Sequence, residues 1–302
     1  MRNFFLACLI FSACGDDVTA DQGCTSFAQG FCGKIDQCAH PIIATQYGDV
    51  ATCVTRQKLN CLNGLKAPGT TVTPAKAQSC GNAAGSTSCT DIFNHNLPAA
   101  CHGDPGKLVD GTVCSQDGQC QSTYCKKANS SDACGACGER SASGGPCSRA
   151  EDCQYNLACG ANMQCTAWVG SGGTCDANHP CSTPLLCRGG TCAMPAGSGQ
   201  PCVRTVQGDN CDLTQGLFCN GAMTGTCQML QYANAGQACG LSANPVNFTA
   251  CTASSTCSAN TNGTCVAPGA DGAACGTGNV GCTPPANCVN RVCTLPDYTG
   301  CH

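Results

Sequence analysis

Two patterns of apolar positions divide the chain. Between residues 24 and 101, cysteines and apolar residues recur at helical spacing; beyond residue 110 short apolar edges flank cysteines and turn residues instead. Cys24, Phe27, Phe31, Ile35 and Cys38 follow one another at intervals of three and four and so share one face of a helix. A second helix is expected over residues 49–62, with Asp49 as N-cap, Val50, Cys53, Val54 and Cys61 on one side, and Asn63-Gly64 as the stop. Thr73-Pro74 supplies the cap and first-turn proline of a third helix running to about residue 84, and a short fourth is expected over residues 88–94. Eight cysteines lie in region 24–101, and those sharing a face with Phe and Ile point to one interior, so bridges should tie helix to helix. The expected unit is a small all-α, cysteine-braced domain whose connectivity the spacing leaves open.

The remainder is built on a repeated phrase. GPCSRAEDCQYNLACGANMQC is followed by GTCDANHPCSTPLLCRGGTC, each placing four cysteines with gaps of five, five, and four or five residues. The cysteines of these two copies are Cys147, Cys153, Cys159 and Cys165, then Cys175, Cys181, Cys187 and Cys192. Three further copies place cysteines at 202, 211, 219 and 227, at 239, 251, 257 and 265, and at 275, 282, 288 and 293. Residues 146–302 therefore read as five tandem four-cysteine repeats with a C-terminal tail. Ahead of them, residues 102–110 read as a polar linker, and residues 111–137 as an irregular module with five cysteines, at 114, 120, 125, 134 and 137. In each repeat the last two cysteines bracket a turn, as in Leu186-Cys187-Arg188-Gly189-Gly190-Thr191-Cys192. Each should form a two-stranded hairpin with an irregular arm, held by two bridges. A bridge closing roughly 15 residues contributes about 3 kcal/mol in the chain-entropy view, which offsets much of the ordering cost without a core. The Gly- and Ser-rich stretches 170–173 and 197–199 read as linkers, residues 138–145 as a flexible joint, and the array as a rod or compact string projecting from the helical domain. Cys301 and one cysteine of the five-cysteine segment, which holds Cys134 and Cys137, are left over: they could bond outside their units, stay free, or link two molecules. The expected class is a small disulfide-rich fold, an all-α cysteine-braced domain followed by tandem short β-hairpin modules.

Composition fixes the setting. The chain has 36 cysteines in 302 residues but only eight Phe, five Tyr and one Trp, so covalent links replace burial. Thiols at this density stay paired only in an oxidising compartment. A net charge of −4 without any basic run argues against nucleic acid as a partner. Residues 1–13 read as a signal peptide, with Arg2 ahead of an apolar stretch over residues 4–11 that is too short to span a bilayer. Phe11-Ser12-Ala13-Cys14 resembles the lipobox of bacterial lipoproteins, with Phe where Leu is usual. That resemblance implies a lipid on Cys14, a tether over residues 14–23, and an outer-membrane location. Cleavage after Val18-Thr19-Ala20 is the alternative and implies a secreted protein. Either way 36 cysteines less Cys8 and Cys14 leave 34, enough for 17 bridges.

The repeated phrase carries a further resemblance. Glu151-Asp152-Cys153 with Leu157-Ala158-Cys159, and Leu185-Leu186-Cys187 with Gly190-Thr191-Cys192, are similar to the N-terminal cysteine-rich repeat of Dickkopf proteins. The layout of lipobox, helical cysteine domain, DPGKLVDGTVC, CGAC and tandem repeats resembles cysteine-rich lipoproteins of myxobacteria and related Gram-negative bacteria. Such a resemblance implies architecture and an envelope setting; receptor binding of the Dickkopf kind does not carry over, because no matching contact motif is present.

Reactive chemistry is sparse. Cys134-Gly135-Ala136-Cys137 has the spacing of thiol-disulfide oxidoreductases, but no strand leads in and no helix follows, so a structural role is expected. No second pair at zinc-site distance exists, and no metal or cofactor is expected. His40, His95, His102, His179 and His302 read as polar turn or helix-end residues, and Asp110-Gly111, Asp117-Gly118 and Asp271-Gly272 as turns rather than calcium loops. Trp168 is expected to pack over a neighbouring disulfide. Asn129, Asn247 and Asn262 fit the N-glycosylation sequon, which matters only in a eukaryotic secretory host. No catalytic pair emerges. The expectation is a non-enzymatic, lipid-anchored surface scaffold for display, adhesion or binding a protein or cell-wall partner; the alternative is a secreted inhibitor of extracellular hydrolases.

Overall fold

The computed structural model describes residues 17–301 apart from 130–131, 206–207, 222, 244–245 and 277–279. The signal peptide, Cys14 and His302 lie outside the described residues. Four helices come first: α1 (Ala20–Gln46), α2 (Val50–Gly64), α3 (Pro74–Ser86) and α4 (Cys89–Phe93). Asp49, Thr73 and Ser88 cap α2, α3 and α4 by accepting hydrogen bonds from the backbone N–H groups of Thr52, Lys76 and Asp91. α1 differs from expectation at both ends. It starts at Ala20, where Thr19 and Gln22 form a capping box, so residues 20–23 are helix and not tether. It also continues past Pro41, accommodated by a break at Ala39, whose φ of −158° is not helical.

Bridges Cys24–Cys61 and Cys32–Cys53 staple α1 to α2, Cys38–Cys89 ties α1 to α4, and Cys80–Cys101 ties α3 to the segment after α4. Around them Ile35, Ile43, Tyr47 and Ile92 make a small buried core. α1 and α3 cross with their backbones in contact: a Cβ on Gly30 would lie 1.9 Å from the Gly81 carbonyl oxygen, and one on Gly81 would lie 2.3 Å from that of Ser26. No larger residue fits at this crossing.

After the helical hub come six modules, the irregular segment and the five repeats, all with one internal plan. The first cysteine bonds the third and the second bonds the fourth, as in Cys147–Cys159 with Cys153–Cys165 and Cys175–Cys187 with Cys181–Cys192. The same crossing joins 114 to 125 and 120 to 137, 202 to 219 and 211 to 227, 239 to 257 and 251 to 265, and 275 to 288 and 282 to 293. The third and fourth cysteines face each other across a two-stranded antiparallel hairpin, for example Cys187 opposite Cys192 and Cys288 opposite Cys293. In the fourth and fifth modules the arm between the first two cysteines lengthens into strands, giving sheets of four and five strands.

The stretches read as linkers belong to the modules. In every module a glycine with positive φ, at 111, 144, 172, 199, 236 and 272, donates its N–H to the carbonyl of the fourth cysteine at 2.7–2.8 Å. A residue three positions earlier, among them Leu108, Ser141, Val169 and Gly269, pairs in parallel with the second cysteine. Residues 102–110 and 138–145 are therefore structural parts of the first two modules, and the Gly-Ser stretches are turns with a fixed role.

Nor is the array a projecting rod. Modules two to six each turn the loop between their second and third cysteines inward onto the hub. Asn156 N–H donates to the His95 carbonyl, Thr183 N–H to Asn94 Oδ1, and Asn94 Nδ2 to Ser182 Oγ. Gly216 sits against Pro41. Ala253 N–H and Ser254 N–H donate to the carbonyls of Ala44 and Thr45, and Ser254 Oγ to that of Gln46, which satisfies the end of α1. Arg56 donates to the carbonyls of Thr283 and Pro284 and pairs with Asp271 at 2.6 Å. The first module meets the hub through its other loop, where Gln116 Nε2 and Gln119 Nε2 donate to the carbonyls of Gly64 and Pro68, while its Thr123 faces Gly103 of its own leading segment. The loop between the second and third cysteines carries a positive-φ residue in four modules (Thr123, Asn156, Gly216, and Ala253 with Ser254), and a cis bond before Pro184 or Pro285 in the other two. The six modules thus form a belt around the helices. Cys134 bonds Cys301 over 167 residues and closes it, so the two odd thiols find each other. Seventeen bridges engage all 34 described cysteines.

Because α1 and α3 meet backbone to backbone, Gly30→Ala should destabilise the protein by about 1–3 kcal/mol, the usual range for overpacking. Thermal unfolding followed by far-UV circular dichroism checks this, and an unchanged midpoint would count against the crossing.

Candidate functional site

The inward docking divides each of modules two to six into a buried loop and an exposed one. Hairpin tips between the third and fourth cysteines face solvent: Arg188, Gly189 and Gly190 are exposed, and Met163, Met223 and Val289 are 51%, 76% and 45% exposed. Their sequences differ from module to module while the cysteines beneath them keep one arrangement. The tips are held at the base by the paired cysteines; that of the second module also meets the third, where Ala161 N–H donates to the Ala177 carbonyl and Asn162 N–H to Asn178 Oδ1, and that of the first carries Cys134.

The densest group of ionisable side chains sits where the hub meets the first two modules. The Arg140 guanidinium lies between the rings of Tyr124 and Tyr155, at 4.6 and 5.0 Å from their centroids. It donates to the Thr123 carbonyl and to Asp117 Oδ2 at 2.7 Å, with only 10% of its side chain exposed. The His102 ring stacks on Tyr155 at 3.9 Å and 3°. The Tyr124 hydroxyl donates to buried Asp152, whose carboxylate also accepts from the backbone N–H groups of Ser148 and Arg149. Burial and this hydrogen bond push the Tyr124 hydroxyl up to about 12, so it stays protonated near neutrality and does not serve as a base. Burial works against charge on Asp152, but the donors around it prevail and hold its carboxyl below the usual range. Burial holds His95 below its ordinary value; Arg140 acts in the same direction, and Glu151 and Asp117 oppose it. His95 Nδ1, Arg140 Nε and Ser122 Oγ are buried without a hydrogen-bond partner in the chain. The hydroxyl brought to a carboxylate here, that of Tyr124, is held protonated rather than activated. The group clamps three parts of the molecule together.

The other candidate residues are dispersed. Cys134 and Cys137 do not bond each other: Cys137 belongs to its module through Cys120, so the C-x-x-C motif holds no dithiol or internal disulfide. Sulfurs in several modules lie within 4.8 Å of one another, but each is in a disulfide and none is the thiolate that binds zinc. Asp117 and Asp271 commit their carboxylates to Arg140 and Arg56. His40 and His179 pair with Asp36 and Asp176 on the surface. The half-buried Trp168 donates its indole N–H to the Asn94 carbonyl at 3.0 Å, so it is a hub contact. Two clefts border the C-terminal tail. One of about 230 Å³ is lined by Phe27, Val72, Ala77 and Tyr298, the other of about 290 Å³ by Lys127, Ala133, Asn287 and Tyr298. Among the described residues no helix is long and apolar enough to cross a membrane. Compared with family models, curated proteins and solved structures, the chain matches none.

The lowered His95 and Asp152 set a sign for acid. A group whose folded value is depressed contributes stability above its unfolded value and loses it as pH falls through the folded one. Stability should therefore decline first as pH drops below 6.5 through the His95 range, and again below 3.8 through the Asp152 range. Thermal melts from neutral to strongly acid pH check this. Tyr124→Phe should shrink the second loss, and a pH-independent midpoint would contradict the clamp.

Proposed function

We propose that this protein is a non-enzymatic, lipid-anchored envelope protein whose belt displays hairpin tips for binding a protein or cell-wall partner in an oxidising compartment. The observation that carries the reading is the division of labour within modules two to six: the loop between the second and third cysteines is fixed on the hub, while the tip between the third and fourth is exposed and varies in sequence. Binding surfaces are commonly built this way, from variable loops on a rigid frame. Catalysis would need a positioned nucleophile or acid–base pair, and the one concentrated ionisable group is occupied in holding the belt.

Anchoring through Cys14 gains support from the start of α1. Thr19 caps the helix and Asp21 pairs with Lys58 at 2.6 Å. Processing ahead of Cys14 leaves both in place, whereas cleavage after Ala20 removes the cap, a loss of about 1 kcal/mol. The inhibitor reading keeps fewer loops to present, because the inward loops of modules two to six are occupied by hub contacts.

Exchanging the exposed tip side chains Met163, Arg188 and Met223 for Ser, with the tip glycines kept, should leave thermal stability within about 0.5 kcal/mol, since these are surface changes. Recovery of envelope partners by cross-linking should fall. Partner recovery unchanged after these exchanges would overturn the display reading, and inhibition of a panel protease at stoichiometric ratio would favour the alternative. Intact mass of the membrane fraction should give a chain beginning at an acylated Cys14; a chain beginning at Asp21 would refute anchoring.

A further inference from the structure

We propose that Cys134–Cys301 is a thiol-exchange site, where the chain replaces its closing disulfide with a mixed disulfide to an external thiolate. The other bridges are local. Within modules they join cysteines 11–18 residues apart and in the hub 21–51 apart, whereas this one spans 167. It alone ties the C-terminal tail covalently to the start of the belt. Cys134 is exposed and Cys301 is 6% exposed, so an incoming sulfur meets Cys134 first.

The step balances without an added oxidant. The incoming thiolate forms a bond to Cys134 Sγ, the Cys134–Cys301 bond breaks, and its electron pair leaves on Cys301 as a thiolate that takes a proton from water. A cleft of about 290 Å³ opens near the bridge, lined by Asp132 and Ala133, the residues just before Cys134, and by Asp297 and Tyr298; neither cysteine of the bridge is on its wall. Lys127 on its wall favours a thiolate close by, while Asp132 and Asp297 on the same wall keep the cleft from selecting anions in general.

Exposure alone does not single out this bridge, because Cys187 and Cys288 are exposed too. The fate of the leaving sulfur does. Cys175, released from Cys187, remains in a module still closed by Cys181–Cys192, and the short loop returns it to its partner. Cys301, once released, lies beyond Cys293 in a segment with no second bridge, whose contacts include hydrogen bonds from the Tyr298 hydroxyl to Asn60 Oδ1, from Ser115 Oγ to the Tyr298 carbonyl and from Asn63 Nδ2 to the Pro296 carbonyl. A segment without a second bridge opens locally, and reclosure then loses to the incoming thiol. Cys137, the nearest cysteine along the chain, is engaged with Cys120 and offers no thiol to expel the adduct.

The test treats the full chain under native conditions with reduced glutathione, quenches by alkylation and maps the peptides by mass spectrometry. The expected first products are a glutathione adduct on Cys134 and an alkylated Cys301, forming on the order of tenfold faster than at any other pair. The double variant Cys134→Ser with Cys301→Ser should lack this early phase and keep the helical signal. Covalent dimers through Cys134 at high protein concentration would identify another chain as the thiol source; adducted monomers alone would identify a small thiol. The proposal is overturned if Cys187, Cys288 or a hub cysteine is modified as early, or if Cys134–Cys301 stays closed until helicity is lost.

Discussion

The crossed pair of disulfides in each module is the constraint on which the rest of the molecule depends. Joining first to third and second to fourth cysteine fixes the base of a hairpin and sends two loops in opposite directions from one buried cluster of sulfur. The buried interior of a module is largely these cysteines, as in the first, where Cys114, Cys120, Cys125 and Cys137 pack together with Leu108 at their edge. A chain with so little aromatic and aliphatic bulk gains from this arrangement what a larger domain gains from apolar burial. Once the inner loop is aimed, the hub needs only to offer it a partner.

The hub does so with dissimilar chemistry at each position. One module finds the orphan carbonyls at the end of α1, another the Arg56 guanidinium, another Asn94, which is 4% exposed and accepts from the Thr183 backbone with its side-chain amide and from the Trp168 indole with its backbone carbonyl. These contacts are polar and mostly reach backbone atoms, so inner-loop side chains are free to vary as long as the turn is kept. The belt therefore tolerates sequence change on both its surfaces while its path stays fixed. The Arg140 clamp adds the strongest cross-module contact where the belt begins, close to where its tail returns.

Much of this was legible in the sequence where the signal is local. Asp49, Thr73 and Ser88 announce their helices because capping is a contact within one turn. The hairpins and the five four-cysteine repeats follow from spacing, whereas the segment 111–137 looks irregular and only its pairing shows it to share their plan. What stayed hidden depends on distant partners or on shape. The glycines at 144, 172 and 199 look like flexible joints, yet they form turns that latch to the distant cysteines 165, 192 and 227. Gly30 and Gly81 look unremarkable until two backbones meet. Asn94 and Arg56 carry no mark of a docking role, because that role belongs to the loop they receive. The two odd cysteines were visible as a surplus, but only the path of the belt brings Cys301 to Cys134.

That path is the central claim, and small-angle X-ray scattering on the monomeric protein tests it most directly. A belt closed round its hub should give a radius of gyration of about 19 Å, the value for a compact chain of this length. A helical domain with its modules strung out from it would give an elongated profile and a clearly larger radius, and that result would contradict the account.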